Sequence, residues 1–508
     1  MRRGLMVQLR PQLKPPKVLR LRNNHLIIDM NFKKLHLIAV FTLALFSSSN
    51  ANAFKSGKEK ADWINNVGYK GYEYSTDTFN VKEFGAINTG IFNATNAIQK
   101  TINACSQSGG GVVFFPKGMY LSGSIFVKDN VHVLFEEGTI ILGSTELADY
   151  PERPTRVAGI EIKWPSALIN INDAKNVKIS GKAELQGRGR IFWAKFEYMK
   201  PVYQKQGLKW ARDYDCKRPR MLVVNNSSNV FIGDVTFKES PFWTVQILYS
   251  KSVSVNGVVI RNHSKYYAPS TDGIDIDSSE RVLVQNCDVA CEDDNFCLKA
   301  GRDADGLRVN RPCQYIVIRD NVTAQGSGLI VFGSETSGGI KHVYVSNMKA
   351  NGTDTGVRFK SARTRGGVIE DILIENVTLT NIPTAFEMLM NWNPTYSYCK
   401  LPDQYKDMEI PERWKILLKK VDPPQNGICK MRNIHFKNIS VTNSKRAFKV
   451  QGYQEYPISN ITFENVSVST KSAGSIENAA DWDIIDSSFK FEDGKGPSQK
   501  NCTKIDGI

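Results

Sequence analysis

The sequence predicts an all-β chain wound as a single-stranded right-handed parallel β-helix, with one N-terminal capping helix. Three observations carry this. First, one phrase recurs: a small polar residue, apolar-x-apolar, then Asn, Gly or Asp, then apolar-x-apolar again. It is anchored at Val177, Val230, Val253, Val282, Ile316, Val343, Ile372, Ile434 and Ile461. Second, most of its steps fall between 23 and 34 residues, and the two longer ones, 53 and 62, read as two turns or as one turn with an insertion. Such periods with no helix between them mark a solenoid. Third, the apolar alternation has period two, as a strand demands. The two-residue hairpin signals that an antiparallel sandwich needs are sparse.

The elements follow in order. Met1–Asp29 is basic and featureless and reads as an upstream misreading of the start. From Met30 a Lys33–Lys34 pair, an apolar run to Phe46 and Ala51-Asn52-Ala53 compose a signal peptide over 30–53. A long cytoplasmic lead before a signal anchor is the alternative. The apolar run is too short for a permanent bilayer span. This predicts export to the periplasm or beyond, with no membrane partner. Residues 54–79 form a polar lead, and the β-helix domain covers 80–508. In it, Asn93 or Thr95 caps a helix reaching about Cys105, with Ile98 and Ile102 on one face. Insertions interrupt the repeat near 192–220 and 391–429.

With 66 Lys and Arg against 51 Asp and Glu, the chain carries a net charge of +15. Without residues 1–53 it keeps 57 bases and 50 acids, about +7. A moderately basic exported protein without a nucleic-acid motif suits an acidic polysaccharide rather than nucleic acid. A monomer is expected. The nine cysteines are odd in number and contain no CxxC pair, which argues against zinc. Free buried thiols are the expected state of those in the strand repeats.

The stretch Ser270–Gly301 concentrates carboxylates: Asp272, Asp275, Asp277, Glu280, Asp288, Glu292, Asp293 and Asp294. Adjacent acids are kept either because they face water or because a site needs carboxyls with split pKa values; a calcium cluster is the third reading. The repeat favours a site. Asp272 and Asp293 stand 21 residues apart, about one coil, and so should lie nearly above each other. Arg358 and Lys360 flank Phe359, so a strand puts both cations on one face.

Here the sequence resembles glycoside hydrolase family 28, the polygalacturonases and rhamnogalacturonan hydrolases. The resemblance rests on Ser270-Thr271-Asp272, Glu292-Asp293-Asp294 and Arg358-Phe359-Lys360, spread over roughly 80–469. It implies an inverting pectin hydrolase without a cofactor or metal. Asp293 would be the general acid, Asp272 and Asp294 would hold and activate water, and Arg358 and Lys360 would bind the substrate carboxylate. Ser327, in Gly326-Ser327-Gly328, stands where polygalacturonases usually carry His. That departure shifts the expected substrate toward the galacturonate–rhamnose bond of rhamnogalacturonan; homogalacturonan is the alternative. Ser270 in place of Asn is a milder departure.

The insertion 192–220 is either a solvated basic loop or a wall that closes the cleft and enforces exo-action, with Trp193 or Trp210 stacking on sugar. Trp392 invites the same reading in the second insertion. Arg365 and Asp275 are candidate supports, and His263 receives no role. Rival classes are a calcium-dependent pectate lyase and a non-catalytic β-helix carbohydrate binder.

Overall fold

Alternating apolar residues pair strand upon strand. A computed structural model describes residues 62–262 and 267–508. The predicted signal peptide, the upstream segment, the first part of the polar lead and His263 lie outside the described residues. Among those described, all strands but two join one parallel 34-stranded sheet, wound as a right-handed β-helix. Each central coil contributes three strands. Ile274–Asp277, Glu280–Gln285 and Asp288–Ala290 make one coil, and Asp294–Lys299, Cys313–Arg319 and Val322–Gln325 lie on the next.

The nine anchors form one continuous column. Val177 pairs with Val230, Val230 with Val253, Val253 with Val282, Val282 with Ile316, and so on through Ile372, Ile434 and Ile461. The steps of 53 and 62 are therefore single coils carrying insertions, not two turns. All nine side chains are buried, at 1% exposure or less.

The bends are built by asparagine. Asn376, Asn438 and Asn465 adopt φ of 56°, 54° and 53°, a left-handed conformation that Asn tolerates better than most residues. Their side-chain amides also stack: Asn438 Nδ2 donates to Asn376 Oδ1 at 2.9 Å, and Asn465 Nδ2 to Asn438 Oδ1 at 2.8 Å. The recurring Asn thus sets the turn and pairs it to the coil beneath.

The capping helix spans Thr95–Gln107 and buries Ile98, Ile102 and Cys105 against the first coils. Its cap position is Ala94, but Asn93 Oδ1 accepts the Thr95 N–H at 3.0 Å, which satisfies one of the free helix-end donors. The polar lead packs along an outer face, where Ile64 and Val67 cluster with Val317 and Tyr344. All nine cysteines are free.

Both insertions fold. The first forms helices at Arg190–Lys205 and Arg212–Asp215, the second at Pro394–Ser397 and Glu412–Leu418. An antiparallel hairpin, Glu152–Val157 with Ile160–Pro165, was not anticipated. The three share a second apolar cluster containing Trp164, Trp210, Tyr214, Phe242 and Trp414. Trp193 and Trp210 are each 2% exposed and donate their indole N–H groups to Ser240 O and Lys400 O. They are packing residues, which corrects the expectation that either stacks on sugar. Nor is the first insertion merely a solvated loop, because Arg218 and Arg220 are buried.

Candidate active site

The acids stand on one sheet of the solenoid. Ile274 pairs with Phe296, so two residues back Asp272 falls beside Asp294. The coil step is thus 22 rather than 21 residues here, and Asp294, not Asp293, is the stacking partner of Asp272. Asp293 sits one residue earlier, at the strand's edge. Its Oδ1 accepts the Asp294 N–H at 3.0 Å and its carbonyl accepts the Ser327 N–H at 2.8 Å. Gly326 at φ +122° allows that approach; a Cβ there would lie 2.7 Å from Asp293 O. Further along the sheet, Cys297, Val331, Arg358 and Glu387 stand in one column. Phe359 turns inward and stacks on Phe332 at 4.4 Å, which leaves Arg358 and Lys360 together on the outer face.

Asp272, Asp293, Asp294, Arg358, Lys360 and Ser327 all line one cleft of about 320 Å³. The solvated-loop reading of the acids fails: Asp272 is 3% and Asp294 1% exposed. Lys360 Nζ donates to Asp294 Oδ2 at 2.6 Å, and Arg358 Nη1 lies 3.8 Å from Asp294 Oδ1. Arg358 also holds Glu387 Oε1 at 2.6 Å. The two cations are therefore already engaged by carboxylates. Their side chains come to the acids as expected, with part of their donors already spent on carboxylates.

Sequence reasoning missed Lys299. Its Nζ lies 3.3 Å from both Asp272 Oδ2 and Asp275 Oδ1, 3.7 Å from Glu335 and 4.7 Å from the centre of the Trp243 ring. A signal was present: Lys299 lies two residues past Cys297, at the same outward parity. Glu335 had none, because it sits outside the repeat. Asp275 is fully buried beside Lys299, and Arg365 is buried and paired with Asp303.

Five carboxyls (Asp272, Asp275, Asp293, Asp294, Glu335) crowd around three cations, so not all can ionise. Lys360 and Arg358 outweigh burial at Asp294 and hold its carboxyl below the usual range. Burial first, and the Asp294 charge second, push Asp293 up to about 6. Burial and then Asp275 and Asp293 raise Asp272 well above its ordinary value, against the pull of Lys299. Asp275 rises to about 7 for the same first reason. Burial is thus the larger cause at Asp293, ahead of the neighbouring charge. Of the two residues expected to hold water, Asp294 is the ionised one.

Ligand atoms of Asp272, Asp294 and Cys297 lie within 4.8 Å of one another. The set does not fit calcium, which takes six to eight oxygens. It includes a thiol, and ammonium groups already sit against both carboxylates.

The cleft is roofed by both insertions. Phe196, Lys209, Arg212 and Asp213 come from the first, and Trp392, Asn393 and Tyr396 from the second. Lys209 Nζ ties them together, donating to Asn393 Oδ1 at 3.2 Å and Thr395 Oγ1 at 3.1 Å. Lys360 Nζ lies 4.7 Å over the Trp392 ring.

Neighbouring carboxyls held in different protonation states are what acid–base cleavage of an acetal requires, and here they ride on a parallel β-helix. The class so defined is a β-helix glycoside hydrolase. The chain belongs to the Glycosyl hydrolases family 28, whose sequence profile matches residues 80–405. It is 24% identical over 396 residues to a probable polygalacturonase of Vitis vinifera, covering 76% of this chain and 73% of the other. It is 25% identical over 478 residues to an exo-poly-alpha-D-galacturonosidase of Dickeya chrysanthemi, covering 84% and 74%. Among solved structures it resembles an exopolygalacturonase of Thermotoga maritima with a TM-score of 0.68 at 23% identity, over 84% of this chain and 94% of that one.

Proposed function

We propose that the protein is an exported, monomeric, inverting hydrolase of the pectin backbone that removes galacturonate from chain ends. The observation that carries the reading is the split pair: Asp293 held up to about 6, against Asp294 held down by Lys360 and Arg358. Asp293 donates its proton to the glycosidic oxygen as the bond breaks. Asp294, with Asp272 beside it, orients a water and takes its proton as the water attacks the anomeric carbon from the opposite face. Donor and acceptor on opposite faces give inversion. Arg358 and Lys360 serve two purposes, keeping Asp294 ionised and turning remaining donors toward a uronate carboxylate.

Exo-action is supported by the roof: two insertions joined through Lys209 close over one part of the cleft. The Dickeya and Thermotoga relatives carry exo-acting names. Ser327 in the cleft, in place of His, favours the galacturonate–rhamnose bond; the relatives' polygalacturonase names favour homogalacturonan. Export rests on the sequence of residues 30–53.

Digesting homogalacturonan and rhamnogalacturonan oligosaccharides side by side, with chromatography of products, tests the reading. Release of the terminal galacturonate as a monomer, faster from rhamnogalacturonan, is expected. A ladder of internal fragments would refute exo-action. Products that absorb in the near ultraviolet and vanish with a chelator would make the protein a lyase.

A further inference from the structure

We propose that Arg212, on the 192–220 insertion, is a seat for a uronate carboxylate under the roof of the cleft, and so selects acidic over neutral sugars there. This deepens the pectin-hydrolase reading and rests on it.

The wall's own cations are committed. Lys299 is shared among Asp272, Asp275 and Glu335, Lys360 sits on Asp294, and Arg358 bridges Asp294 and Glu387. Arg212 differs. It lines the same cleft, and among the described residues no carboxylate lies within ion-pair distance of it. Its Nε and Nη1 atoms are buried and have no hydrogen-bond partner among the described residues. Its neighbour Asp213 turns instead to Arg218, at 3.5 Å. Arg212 is nonetheless held in place, its guanidinium carbon 3.9 Å from the centre of the Phe196 ring. A fixed guanidinium with unfilled donors is costly until a ligand supplies acceptors, and a carboxylate supplies them in the right plane.

Position agrees. The first insertion leaves the solenoid before Leu222–Asn225, three strands ahead of Asp294–Lys299 in the stacking order, whereas Arg358 stands two strands beyond it. Tyr267, Asp293 and Arg212 line the same cleft. A sugar bonded at Asp293 therefore shares that cleft with the Arg212 guanidinium.

The test is calorimetric titration of galacturonate and of galactose into the wild-type protein, Arg212→Gln and Arg212→Lys, with turnover measured in parallel. Wild type should prefer galacturonate. In Arg212→Gln that preference should fall by about 10- to 100-fold, the weight of a charge-assisted hydrogen bond, and Arg212→Lys should fall between. A Gln variant that keeps the wild-type preference overturns the proposal. Should the Gln variant fail to fold, a Lys variant with the full wild-type preference overturns it equally. The two readings separate cleanly. If galacturonate binds through Arg212 but no pectin oligosaccharide is cut, the hydrolase reading fails and the seat stands. If cutting proceeds and the preference ignores Arg212, the seat fails and the hydrolase stands.

Discussion

The wall and the roof of the cleft are built by opposite means. On the wall, all six residues of Asp294–Lys299 are buried and each coil fixes the next by register. Charges there are locked against one another with almost no exposure. The roof hangs from two insertions with an apolar cluster of their own and joins across a lysine bonded only to neutral groups. In the proposed reaction the wall's rigidity serves proton transfer, which fails when carboxyls drift. The Arg212 donors that are unpaired among the described residues serve the proposed selection, which needs groups left free for a ligand.

Substitutions should separate the two. The largest loss belongs to the wall: Asp293→Asn removes the proton donor and should lower kcat by about 10²- to 10⁴-fold, read by reducing-sugar release, with folding intact by circular dichroism. Lys299→Met comes next. It leaves Asp272 and Asp275 buried without their ammonium and should cost about 3–5 kcal/mol in urea denaturation at neutral pH. Because the Asp275 carboxyl is held up to about 7, it takes up a proton as pH falls below that, and the cost should shrink at pH 5. An undiminished cost would show that Lys299 matters for packing rather than charge. On the roof, Trp392→Ala should raise KM roughly tenfold while kcat changes little, because it removes an aromatic face at the cleft but no proton-transferring group. Smallest is Asn376→Ala, far from both. It loses its rungs to Asn347 and Asn438 and keeps φ near +56°, for about 1–2 kcal/mol of stability and unchanged turnover.

The pH profile sharpens the same contrast. As the proposed acid, Asp293 must be protonated to act, so kcat/KM should fall as pH rises through about 6. Asp294 must be ionised, and its carboxyl lies below the usual range, so the acid limb should come only at low pH. Lys360→Met removes the first cation that holds Asp294 down and should move the acid limb upward. A profile whose basic limb ignores Asp293 substitution would assign the acid elsewhere.

The wall was largely legible in the sequence because strands keep register. Nine apolar anchors named from periodicity fall in one column, and Arg358 and Lys360 flank an inward Phe359 as parity requires. What escaped was finer than the period. A one-residue difference in coil length pairs Asp272 with Asp294, and Lys299 is marked only by its parity with Cys297. The roof was not legible, because insertions carry no repeat. Trp193 and Trp210 looked like sugar platforms by composition and proved to be packing, whereas Trp392 reaches the cleft. Arg212 was one base among many in a basic stretch, and only its lack of a carboxylate partner among the described residues sets it apart.

One observation bears most directly on the claim that Asp293 and Asp294 serve opposite faces of the scissile sugar. Proton NMR of galacturonate freshly released from an α-linked oligosaccharide reports which anomer forms first, before mutarotation. The arrangement predicts the β-anomer; first appearance of the α-anomer would contradict it.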